Sequence, residues 1–161
     1  MGKLSKGQKI KAQFAFALST DPKYLILDEP TANFDPDFKQ DFLNVIMQFM
    51  ESGKKSVIIA SHILDELDRI ADYLIYLDKG ELVYSGDIES FRDKYRIISG
   101  ETYKVKLLKQ EDIIHVEDRK YGTKALVVNH GYSKYDGALT VTVPTLEEFM
   151  YHYSKRGESV I

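Results

Sequence analysis

An α/β fold, a parallel sheet with flanking helices followed by a small α+β appendage, is predicted by three features of this sequence. Two short apolar runs, Tyr24-Leu25-Ile26-Leu27 and Ser56 to Ala60, have the composition of strands buried on both faces. Between them Asp35-Pro36 opens a segment whose apolar residues Phe38, Phe42, Val45, Ile46 and Phe49 recur at helical spacing, which gives the β-α-β rhythm of a parallel sheet. Beyond roughly Ile98 the texture changes. There apolar and polar residues alternate, as they do in half-exposed antiparallel strands.

Each element has its own signal. Ser5 with Gln8 forms a capping box, and Ile10, Phe14, Ala17 and Leu18 continue an apolar helical face behind it. Asp21-Pro22 breaks that helix ahead of the first strand. Asp35 caps the next helix, with Pro36 at its first turn, and Gly53 ends it. Leu64, Leu67, Ile70 and Ala71 suggest a short helix after the second strand. Tyr73 to Leu77, the turn Asp78-Lys79-Gly80, and Leu82 to Tyr84 form a strand pair, and Asp87 caps a helix through about Tyr95.

In the last third, Tyr103, Val105 and Leu107 alternate with Thr102, Lys104 and Lys106, and Leu139, Val141 and Val143 alternate with Thr140 and Thr142. Both stretches read as strands, as does Ala125 to Val128, while Gly131 to Gly137 reads as a tyrosine-containing loop. Thr145 and Glu148 make a second capping box that opens a terminal amphipathic helix. Tyr103, Tyr121, Tyr132, Tyr135, Tyr151 and Tyr153 could supply a contact surface, but ordinary packing is the better reading for most of them.

Composition sets the outer limits. With 161 residues and 43% hydrophobic content the chain can bury a core and hold one domain or two small ones. Its longest apolar stretches, such as Val57 to Ala60, are too short to cross a bilayer, and no apolar segment of a signal peptide is visible. The absence of cysteine excludes a disulfide framework and a thiolate metal site, and fits a cytosolic protein. A net charge of −3 provides no general attraction to nucleic acid.

The chemistry concentrates near the start. Leu4-Ser5-Lys6-Gly7-Gln8 is followed by Leu27-Asp28-Glu29-Pro30-Thr31, then by Asn33-Phe34-Asp35 and Ser61-His62. In this order the four segments resemble the signature motif, Walker B segment, D-loop and switch histidine of an ATP-binding-cassette (ABC) ATPase, over roughly residues 3 to 96. No G-x-x-x-x-G-K-[ST] loop is present. The resemblance therefore implies the C-terminal part of an ABC transporter's ATP-binding subunit: a partial P-loop NTPase sheet over residues 1–97, carrying half of each composite ATP site, and an α+β accessory domain over 98–161. Lys6 stands where the family more usually has glycine.

Each residue has a plain reading beside the functional one. Ser5 and Gln8 cap a helix, and the N–H of Gly7 at that helix start faces the positive end of its dipole, which favours an anion. The resemblance makes that anion the γ-phosphate of ATP held by a second subunit. Asp28 and Glu29 end an apolar strand, where ligands gather in open α/β sheets. The resemblance assigns Mg²⁺ to Asp28, directly or through water, and makes Glu29 the residue that orients and deprotonates the attacking water. His62 falls at the same sheet edge if the two strands are parallel neighbours, where it could hydrogen-bond a γ-phosphate oxygen. Asp35 caps its helix and, by resemblance, communicates across a dimer. His115, His130 and His152 have no motif context and read as structural or surface residues.

What the resemblance implies is an ATPase that closes head to tail with a second ABC ATPase subunit and energises a transmembrane permease, with ATP and Mg²⁺ as cofactors. Such a subunit lies in the cytoplasm, peripheral on the inner face of the plasma membrane through the permease. The terminal Pro144-Thr145-Leu146-Glu147 helix is similar to that of some bacterial export ATPases, which implies an exporter, and the missing phosphate loop implies that this chain alone is inactive. A non-transport ABC ATPase and a non-enzymatic interaction module are the alternatives.

Overall fold

The structure, a computed structural model, describes residues 4–132 and 139–157, apart from the Glu66 side chain. It is a mixed α/β chain that divides into two compact units, Met1–Ile70 and Ala71–Ile161. The division falls after Ile70, whereas the change of sequence texture falls near Ile98.

The first unit runs α1 (Lys6–Ser19), β1 (Tyr24–Asp28), α2 (Pro36–Met50), β2 (Ser56–Ala60) and α3 (Leu64–Ile70). Strands β1 and β2 are parallel and in register from Tyr24↔Ser56 to Asp28↔Ala60, so both strands end at the same edge. Leu25, Phe34, Phe42, Leu43 and Ile46 form the core, with Ile10, Phe14, Leu18 and Val57 packed around it. The expectation of strands buried on both faces is corrected here. Leu25 is buried, but Tyr24, Ile26 and Ile58 are 71%, 74% and 60% exposed. Among the described residues the core elements cover one face of the two-stranded sheet, and the alternate side chains point away from it.

The second unit continues with β3 (Tyr73–Asp78), β4 (Glu81–Asp87), α4 (Ile88–Lys94), β5 (Tyr95–Gly100), α5 (Thr102–Val105), a 3₁₀ turn at Gln110–Asp112, β6 (Ile113–Arg119), β7 (Gly122–Val128), β8 (Leu139–Thr142) and α6 (Leu146–Ser154). The strands β3 and β4 form an antiparallel hairpin, and the others an antiparallel sheet in the order β6-β7-β5-β8. One face of this sheet packs Ile98, Ala125 and Val127 with Val105, Leu108 and Tyr132. An aromatic cluster joins Tyr76, Tyr84, Phe91 and Tyr95 to Phe149 and Tyr153 of α6. Through this cluster the hairpin and α4 belong to the second unit, so the compact unit begins before the change of texture.

One sequence reading is corrected in this unit, and two strands carried no sequence signal. The stretch Thr102–Leu107 is helix and turn rather than strand, because the residues that matter are Val105 and Leu108, three apart and both buried, while Tyr103 and Leu107 are exposed. Strand β5 follows α4 directly and is inaccessible on both faces, with Ile97 and Ile98 buried side by side, so it shows no alternation. Strand β6 also gave no clear signal, since His115 takes an inward position. Of the tyrosines, Tyr132 is buried and Tyr153 lies in the aromatic cluster, Tyr103 and Tyr121 are exposed, and Tyr135 lies outside the described residues, as does most of the Gly131 to Gly137 loop.

Candidate functional site

Glu29 is held in a conformation its own chemistry disfavours. Its φ is 45°, in the left-handed region that non-glycine residues seldom occupy, immediately after β1. Two contacts with the neighbouring strand fix it there. Its N–H donates to the Ala60 carbonyl at 2.8 Å, and its Oε1 accepts from the His62 backbone N–H at 3.1 Å. The His62 ring adds a third, with Nδ1 2.7 Å from the same oxygen. Ser61 donates its hydroxyl to Oε2 at 3.3 Å and accepts from Ile63 N–H at 3.0 Å, which anchors the start of the loop into α3.

The two predicted catalytic residues therefore meet, because parallel pairing of β1 and β2 brings their ends to one edge. The hydrogen bond from the His62 ring is the main cause that holds the Glu29 carboxyl below the ordinary carboxylate value; partial burial acts the other way, and the Ser61 hydroxyl adds a smaller lowering. Glu29 is ionised at neutral pH, with a solvent-accessible carboxylate beside an exposed imidazole. Ser61 is the residue that sequence reasoning named only as part of a motif and not as a site member. A serine beside a motif histidine was its only signal.

Asp28 lies one residue earlier, exposed at the strand end. Among the described residues no hydrogen bond or ion pair occupies its carboxylate. Mg²⁺ binds through one or two carboxylates together with phosphate oxygens and waters, so a lone accessible carboxylate fits that ion. Among the described residues no group of three or more acidic or histidine side chains forms a metal cage.

The residues at the start of α1 form a second cluster. Ser5 caps α1 with both reciprocal bonds of the capping box present: Gln8 N–H donates to Ser5 Oγ at 3.2 Å, and Ser5 N–H donates to Gln8 Oε1 at 3.0 Å. The N–H groups of Lys6 and Gly7 lie in the first turn and have no acceptor within the helix. Gly7 packs tightly against the loop that follows β1, since a Cβ there would stand 3.2 Å from the Asn33 carbonyl oxygen. Asp35 caps α2 by accepting from Phe38 N–H at 2.9 Å, and Lys11 of α1 reaches its other oxygen at 3.4 Å. That cap bond is the leading cause holding the Asp35 carboxyl below its ordinary value, with Lys11 contributing less. Among the described residues no hydrogen bond ties Ser5 or Gln8 to Glu29 or His62. The sheet edge and the helix start are two separate groups within the unit.

The relatives of this chain are ATP-binding proteins of ABC transporters, and the similarity covers about half of it. The chain is 43% identical over 82 residues to a putative ABC transporter ATP-binding protein of Mycoplasma pneumoniae, covering 51% of this chain and 25% of that protein. It is 41% identical over 95 residues to the energy-coupling factor transporter ATP-binding protein EcfA2 of Caldanaerobacter subterraneus, covering 58% and 33% respectively. To the protein of the same name from Streptococcus pyogenes it is 35% identical over 83 residues. The chain thus spans between 25% and 33% of the length of these relatives. A solved ATP-binding cassette of an ABC transporter in its ADP conformation is 29% identical and covers 55% of this chain and 35% of that one, at a TM-score of 0.46, a value too low to carry an argument of its own. No protein-family model matches the chain.

Proposed function

We propose that this sequence is part of an ATP-binding and ATP-hydrolysing subunit that energises an ABC transporter, with residues 1–97 serving the cassette and 98–161 forming an accessory segment. The observation that carries the reading is the pairing of Glu29 with His62 at the shared end of two parallel strands, downstream of a capped helix with the signature sequence. In this reading Glu29 orients the attacking water and takes its proton. His62 holds the Glu29 carboxylate and the γ-phosphate side of the site in register. Asp28 supplies the protein ligand to Mg²⁺, which offsets charge on the β- and γ-phosphates when bound.

Ser5, Gly7 and Gln8 face the phosphate of ATP held by a second ABC ATPase subunit in a head-to-tail dimer, and Asp35 relays the state of one site to the other. Their separation from Glu29 within one chain supports this division, because each composite site draws its two halves from different subunits. The dimer works on a transmembrane permease, which accounts for a peripheral place at the inner membrane face. Among the described residues no helix is long and apolar enough to cross a membrane. The terminal Pro144-Thr145-Leu146-Glu147 helix is what supports an export role.

Without a phosphate loop the 161-residue chain should show no sustained turnover of Mg²⁺-ATP. In a complete ATP-binding subunit containing this sequence, Glu29→Gln should keep ATP binding and lower hydrolysis by roughly 10²–10⁴-fold, leaving an ATP-trapped dimer visible by size exclusion. Wild-type turnover in that variant would remove Glu29 from the chemistry.

A further inference from the structure

We propose that His115 and His152 form a proton-operated latch that fastens the terminal helix α6 to strand β6, and that a proton taken up on the accepting nitrogen of the pair releases the helix. The two residues are far apart in sequence, yet their rings meet Nδ1 to Nδ1 at 2.8 Å, and both are buried. Two ring nitrogens at that separation need one proton between them, so one imidazole donates and the other accepts. With both rings neutral, the donor carries its proton on Nδ1 and the acceptor carries its proton on Nε2. A further proton taken up on the accepting Nδ1 sets two N–H donors face to face and adds one positive charge where water has little access.

The carboxylates that act on His152 have partners of their own. On β6, Glu117 is engaged by Arg119 at 2.6 Å and by the Tyr151 hydroxyl at 3.0 Å. On β7, Lys124 contacts Glu148 of α6 at 2.5 Å, and Glu148 also closes the α6 capping box. The acidic groups facing the pair are therefore already matched by cations or donors. Burial, followed by the neighbouring His115, depresses the His152 pKa from 6.5 to about 4; Glu117 opposes this, while Lys124 and Arg119 add to it. Burial is the largest single influence on the Glu117 and Glu148 carboxyls and pushes both up, but the hydrogen bonds and charges of Arg119 and Tyr151 at Glu117, and of Lys124 and the Thr145 N–H at Glu148, together leave both below the ordinary value.

The sign follows from a folded value lying below the unfolded one. The contribution of the neutral pair is complete above pH 6.5 and is lost as pH falls toward about 4. A helix whose release exposes His152 to water should open roughly twentyfold more often at about pH 5 than at about pH 7, from these two values. Leu146 and Phe149 add apolar contacts with no pH dependence of their own, whereas the Glu148–Lys124 and Tyr151–Glu117 contacts weaken only when those carboxylates are protonated.

The test uses the whole 161-residue chain, labelled with ¹⁵N. Imidazole nitrogen spectra and amide exchange protection of α6 and α2 are recorded between about pH 7.5 and about pH 4.5, with intrinsic exchange rates corrected. The expected result is two neutral rings with opposite Nδ1 protonation at neutral pH, and a fall of at least about tenfold in α6 protection on acidification that α2 does not share. In His115→Gln the imidazole pair is gone and the α6 step should flatten. A charged ring at neutral pH, equal behaviour of α6 and α2, or an unchanged step in His115→Gln would each overturn the latch. If that variant does not fold, the wild-type spectra and the α6 step decide alone.

Discussion

One oxygen of Glu29 receives both the backbone N–H of His62, at 3.1 Å, and its ring Nδ1, at 2.7 Å. The same residue thus sets the position of the carboxylate through its main chain and its charge through its side chain. Replacing the ring separates the two effects.

His62→Gln should keep the backbone bond and the strand pairing while raising the Glu29 carboxyl toward its ordinary value, since the ring bond is the largest lowering cause. Because the folded value is depressed, the contribution of this pair to stability is present above the ordinary carboxylate range and is lost as pH falls through the lowered value. Carboxyl-carbon NMR titration of Glu29 in both proteins measures the difference. An unchanged titration would mean that the ring contact has no electrostatic effect.

Ser5→Ala removes one half of a complete capping box and should cost about 1 kcal/mol, read from denaturant melts of α1 helicity. Gln8→Ala leaves the Ser5 cap and should cost less. Equal losses would mean that the two bonds act as one unit.

Phe42→Ala should destabilise the first unit by about 3–5 kcal/mol. The side chain is 1% exposed and its ring lies 4.8 Å from Phe14 and 5.6 Å from Phe34, so truncation leaves a hole lined by residues fixed from three segments. Fluorescence or circular-dichroism melts in urea provide the measurement, and a loss below about 1 kcal/mol would show that the site collapses freely.

Gly122→Ala should be at least as harmful to the second unit as a typical core truncation, on the order of 3 kcal/mol. Its φ is +134°, and an added Cβ would stand 2.5 Å from the Gly100 carbonyl oxygen of the neighbouring strand. Backbone cannot yield as a flexible side chain would. Wild-type stability in the variant would show that β5 and β7 can separate locally at no cost.

Much of the first unit is legible in the sequence because its signals are local. Ser5 with Gln8, Asp35 with Pro36, and the apolar runs ahead of Glu29 and His62 each specify an element within a few residues, and parallel pairing then brings the two strand ends together. The exposure of Tyr24, Ile26 and Ile58 is not legible, since an apolar run has the same composition whether one face or both are covered. In the second unit, β5 lacks alternation because its neighbours bury both faces, and the Val105 and Leu108 spacing is masked by a chance alternation around it. Nor could the sequence pair His115 with His152. Their contact depends on how a helix settles on a strand many residues earlier, and only the spacing of Leu146, Phe149 and His152 hints that this histidine faces inward.

The segment from Glu29 to Asp35 is fastened at both ends and along its middle: to β2 through Ala60 and His62, to α1 through the Gly7 approach to Asn33, and to Lys11 at the α2 cap. It behaves as a tie-rod rather than a loop. A pull on Glu29 at the sheet edge is therefore expected to bear, through Asn33, on the start of α1.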